Sequence, residues 1–116
     1  MKPFKAILKI PVYRSLFVLS VGKTPTHGLE QLRPVFDSDA ENFEGLTIMK
    51  GRSVAVILGA DSLSYDTIAH EIFHAVHFVL DNIGEEFHGD HQEPYAYLCG
   101  WVTGWTMQQL KSRGAK

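Results

Sequence analysis

The most constraining feature of the sequence is a segment of about five helical turns whose two sides carry opposite chemistry. Ser64 is a typical helix N-cap and Gly84 a typical terminator, so the pattern predicts a helix over residues 65–83. At about 100° of rotation per residue, the apolar side chains form one stripe, and three histidines lie opposite it in line with Asp81. The stripe comprises Ile68, Ile72, Ala75, Val76, Val79 and Ile83, and the histidines are His70, His74 and His77.

The histidine side of this helix contains His70-Glu71-Ile72-Phe73-His74, which is the pattern H-E-x-x-H. Histidines four residues apart project side by side from a helix, so His70 and His74 are candidate ligands of one metal ion. Glu71 points about 100° away around the helix and is the candidate general base toward a bound water. Two imidazoles and one oxygen ligand, with an open fourth position, suit catalytic zinc, so we predict a Zn²⁺ site here.

The third ligand has several candidates further along the chain. Glu93 is the strongest, because it stands at the start of a second predicted helix over residues 94–110. His77 shares the helix face, but it lies about 10.5 Å along the axis from His70, which is too far to share one ion. We therefore predict Glu93 as the third metal ligand. The rival candidates are His88, Asp90 and His91.

Two glycines in the second predicted helix bear on this choice. Glycine in a helix interior costs about 1 kcal/mol, so Gly100 and Gly104 require a reason. They share the face of Glu93 and would form a flat strip on which the first helix packs closely, which would carry Glu93 to the metal. The alternative is that they only weaken the helix. Trp101, Val102, Trp105 and Leu110 continue an apolar helical pattern and favour packing.

The N-terminal half of the chain carries strand patterns. We predict a hairpin that turns at Lys50-Gly51 and a short helix. The five apolar residues 54–58 indicate a strand that is either buried on both faces or an edge strand covered by another part of the chain. The predicted strands span residues 4–10, 16–21, 46–49 and 53–58, and the short helix spans 29–36. The predicted fold is a single α+β domain, 1–116, with a small mixed sheet of about four strands, a short N-terminal helix and two packed C-terminal helices.

Composition excludes several classes of protein. The chain has 116 residues, 45% of them apolar and 21% charged, with a net charge of −2, so we expect neither a nucleic-acid partner nor a membrane surface. No apolar run reaches the roughly 18–20 residues of a membrane helix. Lys9, Pro11 and Arg14 interrupt any signal-peptide core. The single cysteine, Cys99, favours a reducing compartment, and we predict a cytoplasmic location.

These residues resemble the gluzincin group of zincin metallopeptidases. In that pattern, the two histidines of H-E-x-x-H and a downstream glutamate bind zinc, and His70, Glu71, His74 and Glu93 match it. Residues 67–75 and 93–98 are also similar to a group of small H-E-x-x-H proteins encoded by tailed bacteriophages. The resemblance covers about residues 53–105. It implies a zinc-dependent peptidase that acts on a peptide or protein substrate, in the host bacterial cytoplasm if phage-encoded, with Glu71 as general base.

Some features remain open at this point. Several gluzincins have an aspartate four residues after the ligand glutamate, and here that place is Tyr97. Residues 53–58 are either a strand to which an extended peptide adds or plain sheet interior. Residues 85–92 are equally consistent with a lid and with a solvated turn. The candidate donors to a developing oxyanion are Tyr95, Tyr97, His77, His88 and His91.

Two alternative functions accompany the peptidase hypothesis. One is a non-enzymatic binding module in which zinc connects two helices and Glu71 has no chemical role. The other is a hydrolase of a non-peptide amide. The residue that discriminates an enzyme from a binding module is Glu71, because a general base is needed only for catalysis.

Overall fold

The structure is a computed structural model that describes residues 1–11, 13–85, 89–90 and 92–115. It confirms the α+β class: within these ranges, four strands form one mixed sheet, and three α-helices pack on it. In chain order the elements are β1 (Phe4–Ile10), β2 (Ser15–Gly22), α1 (Pro25–Glu30), β3 (Gly45–Lys50), β4 (Ser53–Gly59), α2 (Tyr65–Asn82) and α3 (Glu93–Ser112), with a 3₁₀ turn at Ala60–Ser62.

The sheet has the strand order β1-β2-β4-β3, with β2 and β4 parallel and the other two pairs antiparallel. The predicted β3–β4 hairpin is confirmed, and Gly51 at its turn has a φ of +60°, a conformation that favours glycine. The apolar run of residues 54–58 is buried on both faces, which is one of the two predicted arrangements. The suggestion that a peptide adds to residues 53–58 is wrong, because β2 and β3 occupy both edges of β4.

Alternation along the strands divides the interior into two cores. On one face, Val18, Ala55 and Ile57 pack with Leu29 of α1 and with the segment that follows it. On the other face, the side chains of opposite parity pack under α2 and α3. This second core includes Phe17, Leu19, Val54, Val56, Ile72, Val76, Leu80, Val102 and Leu110. Helix α2, which carries the H-E-x-x-H motif, therefore packs directly on the sheet.

The short N-terminal helix lies earlier in the chain than predicted. The helix predicted at residues 29–36 is wrong, because α1 spans Pro25–Glu30 and turns follow it. The side chain of Thr24 caps α1 by accepting a hydrogen bond from the His27 N–H at 3.2 Å. Pro34 disfavours helical backbone at Arg33, which prevents continuation through the predicted span. The residues that suggested the longer helix are nevertheless buried: Leu29, Leu32 and Phe36.

Helix α2 begins and ends where its capping residues predict. The Ser64 hydroxyl accepts the Thr67 N–H at 3.1 Å, and Gly84 follows the last turn with a φ of +79°. The predicted apolar stripe is buried except for Ile83, which follows the last helical residue and is exposed. Within the described ranges, no helix combines the length and the hydropathy that a membrane crossing requires.

Candidate metal centre

The structure brings His70 and His74 together on the solvent side of α2. Their Nε2 atoms are 3.1 Å apart, and the two rings meet edge to face with centroids 4.7 Å apart. Two nitrogen ligands at about 2.05 Å from a tetrahedral zinc stand about 3.3 Å apart, so this spacing fits two positions around one ion. The same spacing also fits one N–H···N hydrogen bond between neutral imidazoles.

Glu71 lies next to this pair but points toward the sheet. Its side chain is buried, with 7% of the residue exposed. The Thr47 hydroxyl on β3 lies 2.7 Å from Glu71 Oε1 and 3.1 Å from the Glu71 carbonyl oxygen. The second carboxylate oxygen, Oε2, lies 3.8 Å from His70 Nε2. The carboxylate therefore bridges the edge strand and the ring that is predicted to bind the metal.

Gly45, at the start of β3, makes room for this carboxylate. A Cβ atom at Gly45 would stand 2.9 Å from Glu71 Cγ and 2.7 Å from Thr67 Cγ2, closer than real Cβ contacts. The same glycine lines a cleft of about 400 Å³ that extends from His70 and Glu71 to Glu44 on the segment before β3. The cleft gives a ligand access to His70 from the side on which Glu44, Asp66 and Glu71 lie.

Glu93 does not join the histidine pair in the described residues. Helices α2 and α3 are antiparallel, because the Tyr95 ring lies 6.3 Å from His77 while Met107 borders the start of α2. The first turn of α3 is thus level with His77, about 10.5 Å along the helix axis from His70. No three His, Cys, Asp or Glu side chains in the described ranges form a group able to hold a metal ion. The assignment of Glu93 as third ligand stays a prediction.

The predicted packing role of the two α3 glycines is wrong. Apart from the local helix backbone and chain neighbours, a Cβ at Gly100 or Gly104 would meet no atom of the described part of the chain within 4 Å, and both residues are exposed. Tyr97, on the same face, is 76% exposed. Helix α3 instead turns its opposite face inward, because that face carries the large apolar side chains whose burial stabilises the fold. The buried residues of this face are Tyr95, Leu98, Val102, Thr106 and Leu110.

The remaining candidate residues occupy varied positions. The Tyr95 hydroxyl donates a hydrogen bond to the Glu85 carbonyl oxygen at 3.2 Å, which ties α3 to the chain after α2. Asp90 is exposed. His88 and His91 lie outside the described residues, as does part of the predicted lid at 85–92. The choice between a lid and a solvated turn therefore stays open.

Thr47 is the site residue that sequence reasoning missed. Leu46 and Ile48 pack in the core under α1, so a period of two predicts that Thr47 points to the opposite face. A polar side chain between two apolar residues of a strand was the available signal. The sequence does not reveal that β3 lies beside α2. The alternation therefore predicts the direction in which Thr47 points but not that its partner is Glu71.

Comparison with known proteins adds no identification: no protein-family model, no curated protein and no solved structure matches this chain.

Proposed function

We propose that this protein is a zinc-dependent peptidase in which His70, His74 and Glu93 bind the metal and Glu71 is the general base. The observation that carries the proposal is the convergence of three groups. The Nε2 atoms of His70 and His74 lie 3.1 Å apart, and Glu71 Oε2 lies 3.8 Å from the first of them. These are the two histidines and the glutamate of the H-E-x-x-H motif, which a metal hydrolase of this type requires close together, and Glu93 is the third ligand that the proposal adds.

Each residue of the proposed site has a defined role in the reaction. His70 and His74 supply neutral imidazole ligands from a helix that the sheet holds in place. Zinc, when bound, supplies a Lewis acid and an acidified water. With the metal bound, Glu71 would accept a proton at Oε2 and would later deliver it to the leaving amine. Because Oε1 is engaged by Thr47, Oε2 is the oxygen available for proton transfer.

Strand β3 is the proposed place for the substrate backbone. It is the edge strand on the α2 side of the sheet, and its Thr47 contacts Glu71. An extended peptide that pairs with an edge strand gains main-chain hydrogen bonds and is held parallel to that edge. The adjacent cleft of about 400 Å³ would accommodate a side chain next to His70. We propose the host bacterial cytoplasm as the site of action, in keeping with the phage resemblance.

The test of the enzymatic role uses a variant that keeps the metal ligands. Zinc-loaded wild type is expected to hydrolyse a fluorogenic unfolded casein, and Glu71→Gln is expected to bind zinc but lose about 10²- to 10⁴-fold in rate. Glu41→Gln, an exposed glutamate in the loop before β3, is the matched control and should retain full activity. Equal rates for Glu71→Gln and wild type would refute the peptidase proposal.

The third ligand has its own test, the zinc content of purified variants. Glu93→Ala is expected to lose zinc, whereas His91→Ala and the surface control Glu41→Ala are expected to retain it. If His91→Ala loses zinc and Glu93→Ala retains it, His91 is the third ligand instead of Glu93. Retention of zinc by both would remove Glu93 from the site.

A second candidate function is a zinc-stabilised binding module without catalysis. The burial of Glu71 favours it, because a carboxylate that ties α2 to β3 through Thr47 also has a structural explanation. In this case, Glu71→Gln would lower thermal stability and leave the biological role of the protein intact. Wild type would then bind one zinc without hydrolysing casein.

A further inference from the structure

We infer that Thr47 is a positioning residue: its hydroxyl holds the Glu71 carboxylate so that Oε1 is fixed to β3 and Oε2 faces the histidine pair. The inference rests on the proposed function, because the orientation of Glu71 matters only if Glu71 moves a proton. It assigns a role in the reaction to a residue outside the H-E-x-x-H motif.

The first argument is the hydrogen-bond geometry. A threonine hydroxyl has one proton to donate, and two oxygens of Glu71 compete for it, the carboxylate Oε1 at 2.7 Å and the backbone oxygen at 3.1 Å. The contact to the carboxylate oxygen is the shorter of the two. Oε1 therefore receives the proton. The remaining oxygen, Oε2, lies 3.8 Å from His70 Nε2.

The second argument is the rigidity of the donor. Thr47 pairs with Val56 of the central strand β4, and Val56 is fully buried, so the backbone that carries the hydroxyl is held by the sheet. Threonine is branched at Cβ, which restricts its side-chain rotation. A hydroxyl on such a support gives the carboxylate one preferred orientation.

The third argument is the space around the acceptor. Glu71 is buried, and Gly45 leaves a gap that the Glu71 Cγ atom fills, as a Cβ there would stand only 2.9 Å away. The side chain is thus confined between α2 and β3, where Thr47 sits two residues after the glycine. Confinement by Gly45 and orientation by Thr47 together determine which oxygen meets the reacting water.

The test compares three substitutions in the zinc-loaded full chain with casein as substrate. Thr47→Val keeps the branched shape and removes the hydroxyl, and we expect kcat to fall about tenfold or more while KM and zinc affinity stay at wild-type values. Thr47→Ser restores the hydroxyl and should recover most of the lost kcat. Thr26→Val, at an exposed position of α1 on the opposite face of the sheet, is the matched control and should change none of these values.

A second measurement does not depend on activity. Thermal unfolding of the zinc-free protein should show a smaller loss of Tm for Thr47→Val in a Glu71→Met background than in wild type, because the main acceptor is already absent. Equal losses in both backgrounds would show that the pair is not coupled and would overturn the inference.

The outcomes separate this inference from the proposed function. If wild type binds zinc and hydrolyses casein but Thr47→Val has an unchanged kcat, only the role of Thr47 fails. If Thr47→Ser does not recover kcat, the hydroxyl is not the cause of the loss, and the inference fails as well. If zinc-loaded wild type has no activity, both fail together.

Discussion

Replacing Gly100 and Gly104 of α3 by alanine distinguishes two arrangements of these residues. They are exposed in the structure, whereas the sequence predicts that they pack against another helix. Alanine at Gly100 or Gly104 places a methyl group where the described residues leave open space, with none of their atoms beyond the local helix backbone and chain neighbours within 4 Å. Both positions lie inside a helix of 20 residues. Glycine loses more backbone conformational entropy on folding than any other residue, so Gly→Ala at these positions should stabilise the protein.

The magnitude follows from helix propensity. Each replacement is worth about 0.8–1 kcal/mol in a helix interior, so the double variant should gain about 2 kcal/mol in the free energy of unfolding. A chain of 116 residues has an unfolding entropy near 0.24 kcal/mol/K, which converts 1 kcal/mol into about 4 °C. The double variant should therefore melt about 8 °C above wild type.

Differential scanning calorimetry at constant protein concentration is the assay. Urea unfolding gives the same free energy independently, with an unchanged slope if the surface exposed on unfolding is the same. A lower Tm for the double variant would refute the reasoning, because it would mean that the glycine strip contacts a backbone, either α2 or a second molecule. Repeating the scan at tenfold dilution distinguishes these two cases.

Three further predictions follow from the contacts of the site and its helix. Gly45→Ala crowds Glu71 and Thr67, so it should destabilise the protein by about 1–3 kcal/mol, the opposite sign from the α3 glycines, and an unchanged Tm would contradict the crowding. Ser64→Ala removes the N-cap of α2 and should cost about 1 kcal/mol, measured by urea unfolding; no loss would contradict the capping role. Burial raises the pKa of the Cys99 thiol, so the pH profile of its alkylation by iodoacetamide should lie above that of free cysteine, and a coincident profile would contradict the burial.

The strands and α2 were predictable because their signals are local. The run of residues 54–58 is apolar without alternation, and such a run fits a central strand covered on both faces. Ser64 and Gly84 mark the ends of α2 through capping geometry that involves only neighbouring residues. The pair His70 and His74 follows from helical spacing alone.

The remaining features depend on contacts between elements, which periodicity does not encode. The spacing of Leu29, Leu32 and Phe36 suits a helix, but turns after α1 bury the side chains of Leu32 and Phe36 equally well. Gly100 and Gly104 suggest a packing strip on one face of α3, but the residues that become buried are the large side chains of the opposite face. Strand order was beyond reach, so the Thr47–Glu71 contact across 24 residues of sequence was not predicted.

The measurement that tests the central claim most directly is zinc binding by isothermal titration calorimetry to wild type and to single histidine variants. The account predicts one zinc per chain for wild type, loss of binding in His70→Ala and in His74→Ala, and wild-type binding in His27→Ala, whose histidine is exposed on α1. Absence of zinc binding by wild type, or equal binding by all four proteins, would contradict it and leave the imidazole pair as a hydrogen-bonded surface feature.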